Sequence, residues 1–138
     1  MATETTLVLV KPDGVRRGLA GEIVSRFERR GYELRGARLL KIPRALAAEH
    51  YGEHKGKPFY RDLVSFITSG PVLALAVRGE DAIAGVRGLM GATNPADSLP
   101  GTIRGDLATE LSENVVHGSD SRASAKRELG LFFPDGLV

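Results

Sequence analysis

The sequence predicts an α+β fold, one sheet of four strands covered by helices. Three observations carry this. Thr5–Val10 and Val72–Val77 are nearly unbroken apolar runs that fit strands buried on both faces. Other stretches repeat apolar residues at helical spacing, as at Ala20, Ile23, Val24 and Phe27. The two kinds of segment alternate along 138 residues, a length suited to a single domain over 1–138.

Taken in order, Thr5–Val10 is the first strand. Lys11 stands at its tip, and Pro12-Asp13-Gly14 reads as a turn. Leu19–Arg30 is a helix with Arg26, Glu28, Arg29 and Arg30 away from its apolar stripe, and Gly31 sits at the left-handed cap. Tyr32–Ile42 alternates loosely and is the second strand. Pro43 opens a short helix through Tyr51, proline being favoured in a first turn. Gly52, Gly56 and Pro58 mark a loop. Phe59, Leu63, Phe66 and Ile67 then form the inner stripe of a helix that stops at Gly70-Pro71. Val72–Val77 is the third strand. Asp81–Met90 is helical, with Ile83, Val86, Leu89 and Met90 inward and Arg87 off that stripe.

Gly91–Glu113 shows little periodicity and reads as a long polar loop, a length usually reserved for function. Asn114–His117 is the fourth strand, and Gly118 lets the chain turn. Ser119, Asp120 and Ser121 are helix caps ahead of a helix that ends at Gly130, followed by an apolar tail, Leu131–Pro134. The tail is expected to pack on the core or on a neighbouring subunit. This order contains the split β-α-β arrangement of ferredoxin-like folds, with an antiparallel four-stranded sheet. That fold hosts many functions, so function has to be sought in the site.

Composition narrows the classes. Apolar residues make up 42% and charged residues 26%, as in ordinary soluble domains, and a net charge of +2 is too mild to require nucleic acid. The basic run Arg16, Arg17, Arg26, Arg29, Arg30 is interspersed with glutamates and reads as a solvated face. The absence of cysteine rules out disulfides and thiolate metal sites and fits a reducing compartment. Met1–Thr6 has no basic leader, and Leu7–Val10 is too short to span a membrane. A cytoplasmic protein is expected.

His117 is the residue most suggestive of chemistry. An imidazole at a strand tip beside small polar groups suits a nucleophile or general base, and it equally suits a hydrogen-bonded structural role. His50 and His54 have the spacing of a zinc pair, but Tyr51 stands where a metalloprotease needs glutamate and no third ligand is indicated. Neither Walker loop nor dinucleotide fingerprint is present, so a phosphate site must be built from side chains. Lys11, Arg87 and Arg104 supply cations and Thr93 a hydroxyl. Phe59 is either a stacking platform for a base or a core residue.

Asn114-Val-Val-His117-Gly-Ser-Asp-Ser121 resembles the active-site signature of the nucleoside diphosphate kinases. Leu9-Val-Lys11-Pro-Asp-Gly14, Gly-Lys-Pro58-Phe59-Tyr60, Gly91-Ala-Thr93-Asn-Pro-Ala-Asp and Pro100-Gly-Thr-Ile-Arg104-Gly-Asp106 match the same family with its spacing. The resemblance implies that His117 takes the γ-phosphoryl group of a nucleoside triphosphate, usually ATP, and passes it to a nucleoside diphosphate. By the same resemblance, Lys11 and Asn114 bind ribose hydroxyls and nearby phosphate oxygens. Arg87, Thr93 and Arg104 hold the phosphates, Phe59 stacks on the base and Glu128 orients the imidazole. Ser119 and Tyr51 line the site.

No resident metal is implied; Mg²⁺ arrives with the nucleotide, held mainly by its phosphates. Leu99 and Leu111 depart from the common lysine and valine of the family, and Thr109–Glu113 is otherwise divergent. The chain stops at Val138, short of the extension of longer members, which leaves tetramer and hexamer open with a hexamer favoured. The rival readings are an inactive family member and a ferredoxin-like RNA-binding module. The second is weakened by the missing aromatic strand motif.

Overall fold

The computed structural model describes residues 2–138; Met1, the first residue of the leader reading, lies outside them. The strands are β1 (Thr3–Val10), β2 (Glu33–Lys41), β3 (Pro71–Glu80) and β4 (Val116–Gly118). They form one sheet in the order β2-β3-β1-β4, antiparallel throughout. The helices are α1 (Pro12–Arg16), α2 (Ala20–Arg29), α3 (Arg44–His50), α4 (Tyr60–Ile67), α5 (Ala82–Met90), α6 (Ile103–Leu107) and α7 (Arg122–Phe132).

The two central strands bury both faces, and their period of two divides the core. Val8, Val10, Leu75 and Val77 point to one side, where Ile23 and Phe27 of α2 and Val86 and Met90 of α5 cover them. Leu7, Leu9 and Ala74 point to the other and meet Ala47, Val64, Ile67 and Phe132 from α3, α4 and α7. Among the described residues no helix is long and apolar enough to cross a membrane.

Several elements differ from expectation, each for a local reason. Pro12-Asp13-Gly14 is the start of α1, proline taking the first helical position, where its missing N–H costs nothing. The loop after α5 contains a 3₁₀ turn at Pro95–Asp97 and the short α6, whose first turn is capped by the Thr102 hydroxyl on the Gly105 N–H. Helix α7 begins where Ser121 caps the Ser124 N–H, and it runs through Gly130 to Phe132 because Phe132 is fully buried. Phe59 is 46% exposed and is not part of the inner stripe of α4, which is made by Val64 and Ile67.

The fourth strand is shorter than Asn114–His117 suggested. Val115 has φ +73, and the Val116 N–H donates back to the Asn114 carbonyl at 2.8 Å. This tight γ-turn takes Asn114 and Val115 out of the sheet. Gly118 lies within β4 and does not turn the chain; a Cβ there would come within 2.8 Å of Met90 Sδ, so close packing is what demands glycine.

Candidate active site

The site forms where β1 ends beside the start of β4. Alternation along β4 sends Val116 into the α2/α5 core and His117, paired with Leu9, to the opposite face. There α7 presents Ala125, Glu128 and Phe132 on one buried stripe, and α3 presents Ala47 and His50.

His117 Nε2 lies 3.1 Å from Glu128 Oε1. The Ser119 hydroxyl donates to the same oxygen at 2.7 Å and receives the Leu7 N–H at 3.3 Å. Burial pushes the Glu128 carboxyl up, but hydrogen bonding and charge from His117, with help from Ser119 and His50, outweigh it and bring its pKa to about 2. Glu128 is therefore an acceptor only, so His117 Nε2 must carry the hydrogen and the neutral ring has its lone pair at Nδ1. Ser119 does not line the site as expected. It is fully buried behind Glu128, because its neighbours on both sides need its hydroxyl.

Around His117 the cations gather. Lys11 Nζ donates to Asn114 Oδ1 at 2.8 Å, and Asn114 Nδ2 to the Thr93 carbonyl at 2.9 Å. Arg87 Nη1 donates to the Gly118 carbonyl at 3.1 Å. Arg104 is buried and gives its guanidinium to three carbonyls, of Asn114, Gly91 and Val116, at 3.2, 3.0 and 2.7 Å. Those bonds leave two of its five N–H groups for a ligand. Burial, then the charge of Arg104, lowers Lys11 to about 8; burial, then Arg87, lowers Arg104 to about 10. Like charges crowded in this way favour an anion between them.

The opening has two ends. A polar cleft of about 240 Å³ is lined by Lys11, Arg87, Thr93, Arg104, Asn114, His117 and Glu128, with Tyr51 and His50 on its wall. A more apolar hollow of about 1290 Å³ adjoins it, lined by Phe59, Leu63, Phe66 and Leu111, and Lys11, Tyr51, Thr93 and Asn114 belong to both. The structure thus brings together the expected residues other than Ser119. Tyr51 is buried, its hydroxyl pushed up to about 12 by burial and the Glu128 charge.

Two residues escaped sequence reasoning. Asp13, read as part of a turn, is buried, with Oδ2 accepting the Val115 N–H at 3.1 Å. His50 is 3% exposed and packs edge-on to His117 at 4.8 Å between ring centroids, while His54 lies in the 3₁₀ turn Gly52–His54 beyond. Its position three residues after the buried Ala47 was the signal that would have placed it inward.

Known proteins resemble the chain in sequence and in fold. The sequence model of the family Nucleoside diphosphate kinase covers residues 4–138. The chain is 58% identical to a nucleoside diphosphate kinase of Deinococcus radiodurans over 133 residues, 96% of each chain. It is 56% identical to one of Thermus thermophilus, over 98% of this chain and 99% of the relative. A solved nucleoside diphosphate kinase of Halobacterium salinarum, in complex with CDP, superposes with a TM-score of 0.96 at 52% identity, covering 99% of this chain and 92% of the other. Sequence and fold agree over essentially the whole chain, which belongs to the nucleoside diphosphate kinase family.

Proposed function

We propose that this nucleoside diphosphate kinase works by a ping-pong exchange through His117. Nδ1 attacks the γ-phosphorus of a nucleoside triphosphate, usually ATP; the Nδ1–P bond forms as the bond to the β-phosphate oxygen breaks, and the diphosphate leaves. A second nucleoside diphosphate takes the group by the reverse step, restoring the imidazole. Phosphoryl transfer needs in-line placement and cations at the oxygens more than covalent help, and Lys11, Arg87 and Arg104 supply those cations.

The observation that carries this reading is the tether of His117 Nε2 to Glu128, which leaves Nδ1 unengaged in a cleft that Lys11, Arg87 and Arg104 also line. In it, Thr93 and Asn114 share the phosphate and ribose contacts, and Phe59 with Leu111 holds the base in the apolar hollow, as stacking permits for any base. The CDP held by the Halobacterium relative supports a nucleotide in this opening. Magnesium enters as part of the substrate. In this reading the phosphates of the nucleotide carry most of the ion's ligands. When bound it neutralises phosphate charge.

A cytoplasmic homo-oligomer completes the reading, a hexamer favoured over a tetramer; the exposed outer strand β2, with Leu39 66% exposed, supports association. The test is to incubate the protein with γ-labelled ATP and Mg²⁺. Acid-labile label on the chain, discharged by a nucleoside diphosphate and absent in His117→Asn, is expected. Turnover retained by His117→Asn would overturn the assignment, and a folded chain that takes no label would be an inactive family member.

A further inference from the structure

Three ligand-competent groups converge behind the cleft from separate elements, His117 from β4, Glu128 from α7 and His50 from α3. One nitrogen of each imidazole and one carboxylate oxygen lie within 4.8 Å of one another. His117 Nε2 is 3.1 Å from Glu128 Oε1, and His50 Nδ1 is 4.0 Å from Glu128 Oε2. His50 is 3% exposed, and neither of its ring nitrogens has a hydrogen-bond partner. A buried imidazole normally fixes its tautomer by at least one hydrogen bond. This one is held by tilted and edge-on ring contacts with Tyr51, His117 and Phe132, at centroid distances of 4.7, 4.8 and 5.5 Å.

We propose that His50, His117 and Glu128 form a binding site for a zinc-type divalent transition metal, and that occupancy of this site silences the enzyme. Two imidazoles and one carboxylate with a fourth position open are a donor set zinc accepts, whereas magnesium prefers oxygen ligands throughout. The His117–Glu128 pair already has the separation of neighbouring ligands on a tetrahedral ion. His50 has to move toward the carboxylate, and no hydrogen bond restrains it. All three residues line the polar cleft, which provides the entry path.

The inhibitory step follows from proton counting and rests on the reading of His117 as nucleophile. A neutral imidazole has one lone pair and one N–H. With Nε2–H donating to Glu128, the pair is on Nδ1. A metal bound at Nε2 takes the pair there, so the ring's proton moves to Nδ1, and that nitrogen can no longer attack phosphorus. The metal binding itself does not depend on that reading.

Cobalt(II) is the probe, because zinc has no visible absorption, and nucleotide is left out so that it cannot hold the ion. Titrating the full chain should give one Co²⁺ per chain, with the intense visible band of a four-coordinate site, displaced by stoichiometric Zn²⁺. His50→Phe, which keeps a ring in the stack, should weaken binding about a hundredfold or more. His50→Gln reads the same point if the phenylalanine variant does not fold. No band, or a band unaltered by the His50 substitution, overturns the site. In a second arm, stoichiometric Zn²⁺ with excess Mg²⁺ should slow phosphorylation of the wild-type chain by γ-labelled ATP and spare the His50 variant. Metal bound as predicted with phosphorylation undiminished would overturn the inhibitory step and the Nδ1 assignment, leaving the binding site intact.

Discussion

The carboxylate of Asp13 accepts the backbone N–H of Val115 at 3.1 Å and holds a β-branched residue at φ +73. Left-handed backbone is costly for valine and persists only when its surroundings over-determine it. Here the Lys11 N–H donates to the Val115 carbonyl at 2.8 Å, and Arg104 holds the carbonyls on either side of the turn. The turn aims Asn114 at Lys11 and starts β4 so that His117 faces Glu128. Asp13→Ala should therefore lower stability by about 2 kcal/mol, the cost of leaving a buried N–H unpaired. Turnover should also fall at least tenfold, as the turn relaxes, an order-of-magnitude expectation for misplaced catalytic groups. Asp13→Asn, which keeps an oxygen, should recover most of both. Denaturant unfolding and steady-state kinetics of the two variants measure this; an alanine variant with normal turnover would show that the bond is not what positions the site.

Glu128→Gln isolates the tautomer. A carboxamide both donates and accepts, so His117 is free to place its proton on either nitrogen. The rate of phosphorylation should fall tenfold or more, by analogy with orienting carboxylates in triads. Nucleotide affinity should change little, because Glu128 faces the ring and not the cations. Rapid-quench single turnovers separate the two; an unchanged phosphorylation rate would exclude an orienting role.

Phe59 is nearly half exposed at the mouth of the apolar hollow, where a folded core has no need of it. Phe59→Ala should weaken adenine, guanine and pyrimidine nucleotides alike, by roughly 1–3 kcal/mol. Calorimetric titration with each diphosphate checks this. A loss confined to one base would mean that the ring discriminates edges and does not merely stack.

Lys11 gives a pH dependence with two opposite signs. Burial and the Arg104 charge lower its pKa from 10.5 to about 8 in the free protein. As pH rises past 8, the folded protein loses a cation that phosphate needs, so diphosphate affinity should fall toward pH 9. The unfolded chain keeps its proton until near 10.5, so it binds more protons than the folded state in this window, and folding is favoured as pH rises from about 8 to 10.5. The gain is of the order of 3 kcal/mol at most. Binding and thermal unfolding measured across this range should diverge, and parallel loss of both would contradict the assignment.

Strand positions were legible in the sequence as unbroken apolar runs such as Leu7 to Val10, and helix faces as a period near four, as at Ile23 and Phe27. The signature around His117, with Lys11, Arg87 and Arg104, was legible as a resemblance, and the fold brings those residues to one cleft. Phe59 was ambiguous, since a residue that opens a helix has a place in the apolar pattern whether or not it is buried.

What the sequence by itself determined is the order of the strands and longer helices, the apolar stripe of helices such as α2, and the chemical types available to the site. Only the tertiary structure decided that Asp13 reaches Val115, 102 residues away, that Arg104 spends three N–H groups on backbone carbonyls, and that Ser119 retreats behind Glu128. It also decided that His50, dismissed beside His54, lies against His117. Periodicity reports how a residue stands to its near neighbours along the chain. Partners of buried polar groups are settled by which distant segments the sheet order brings together, because once water is excluded each such group is pressed to find an acceptor or donor among whatever the fold has placed there.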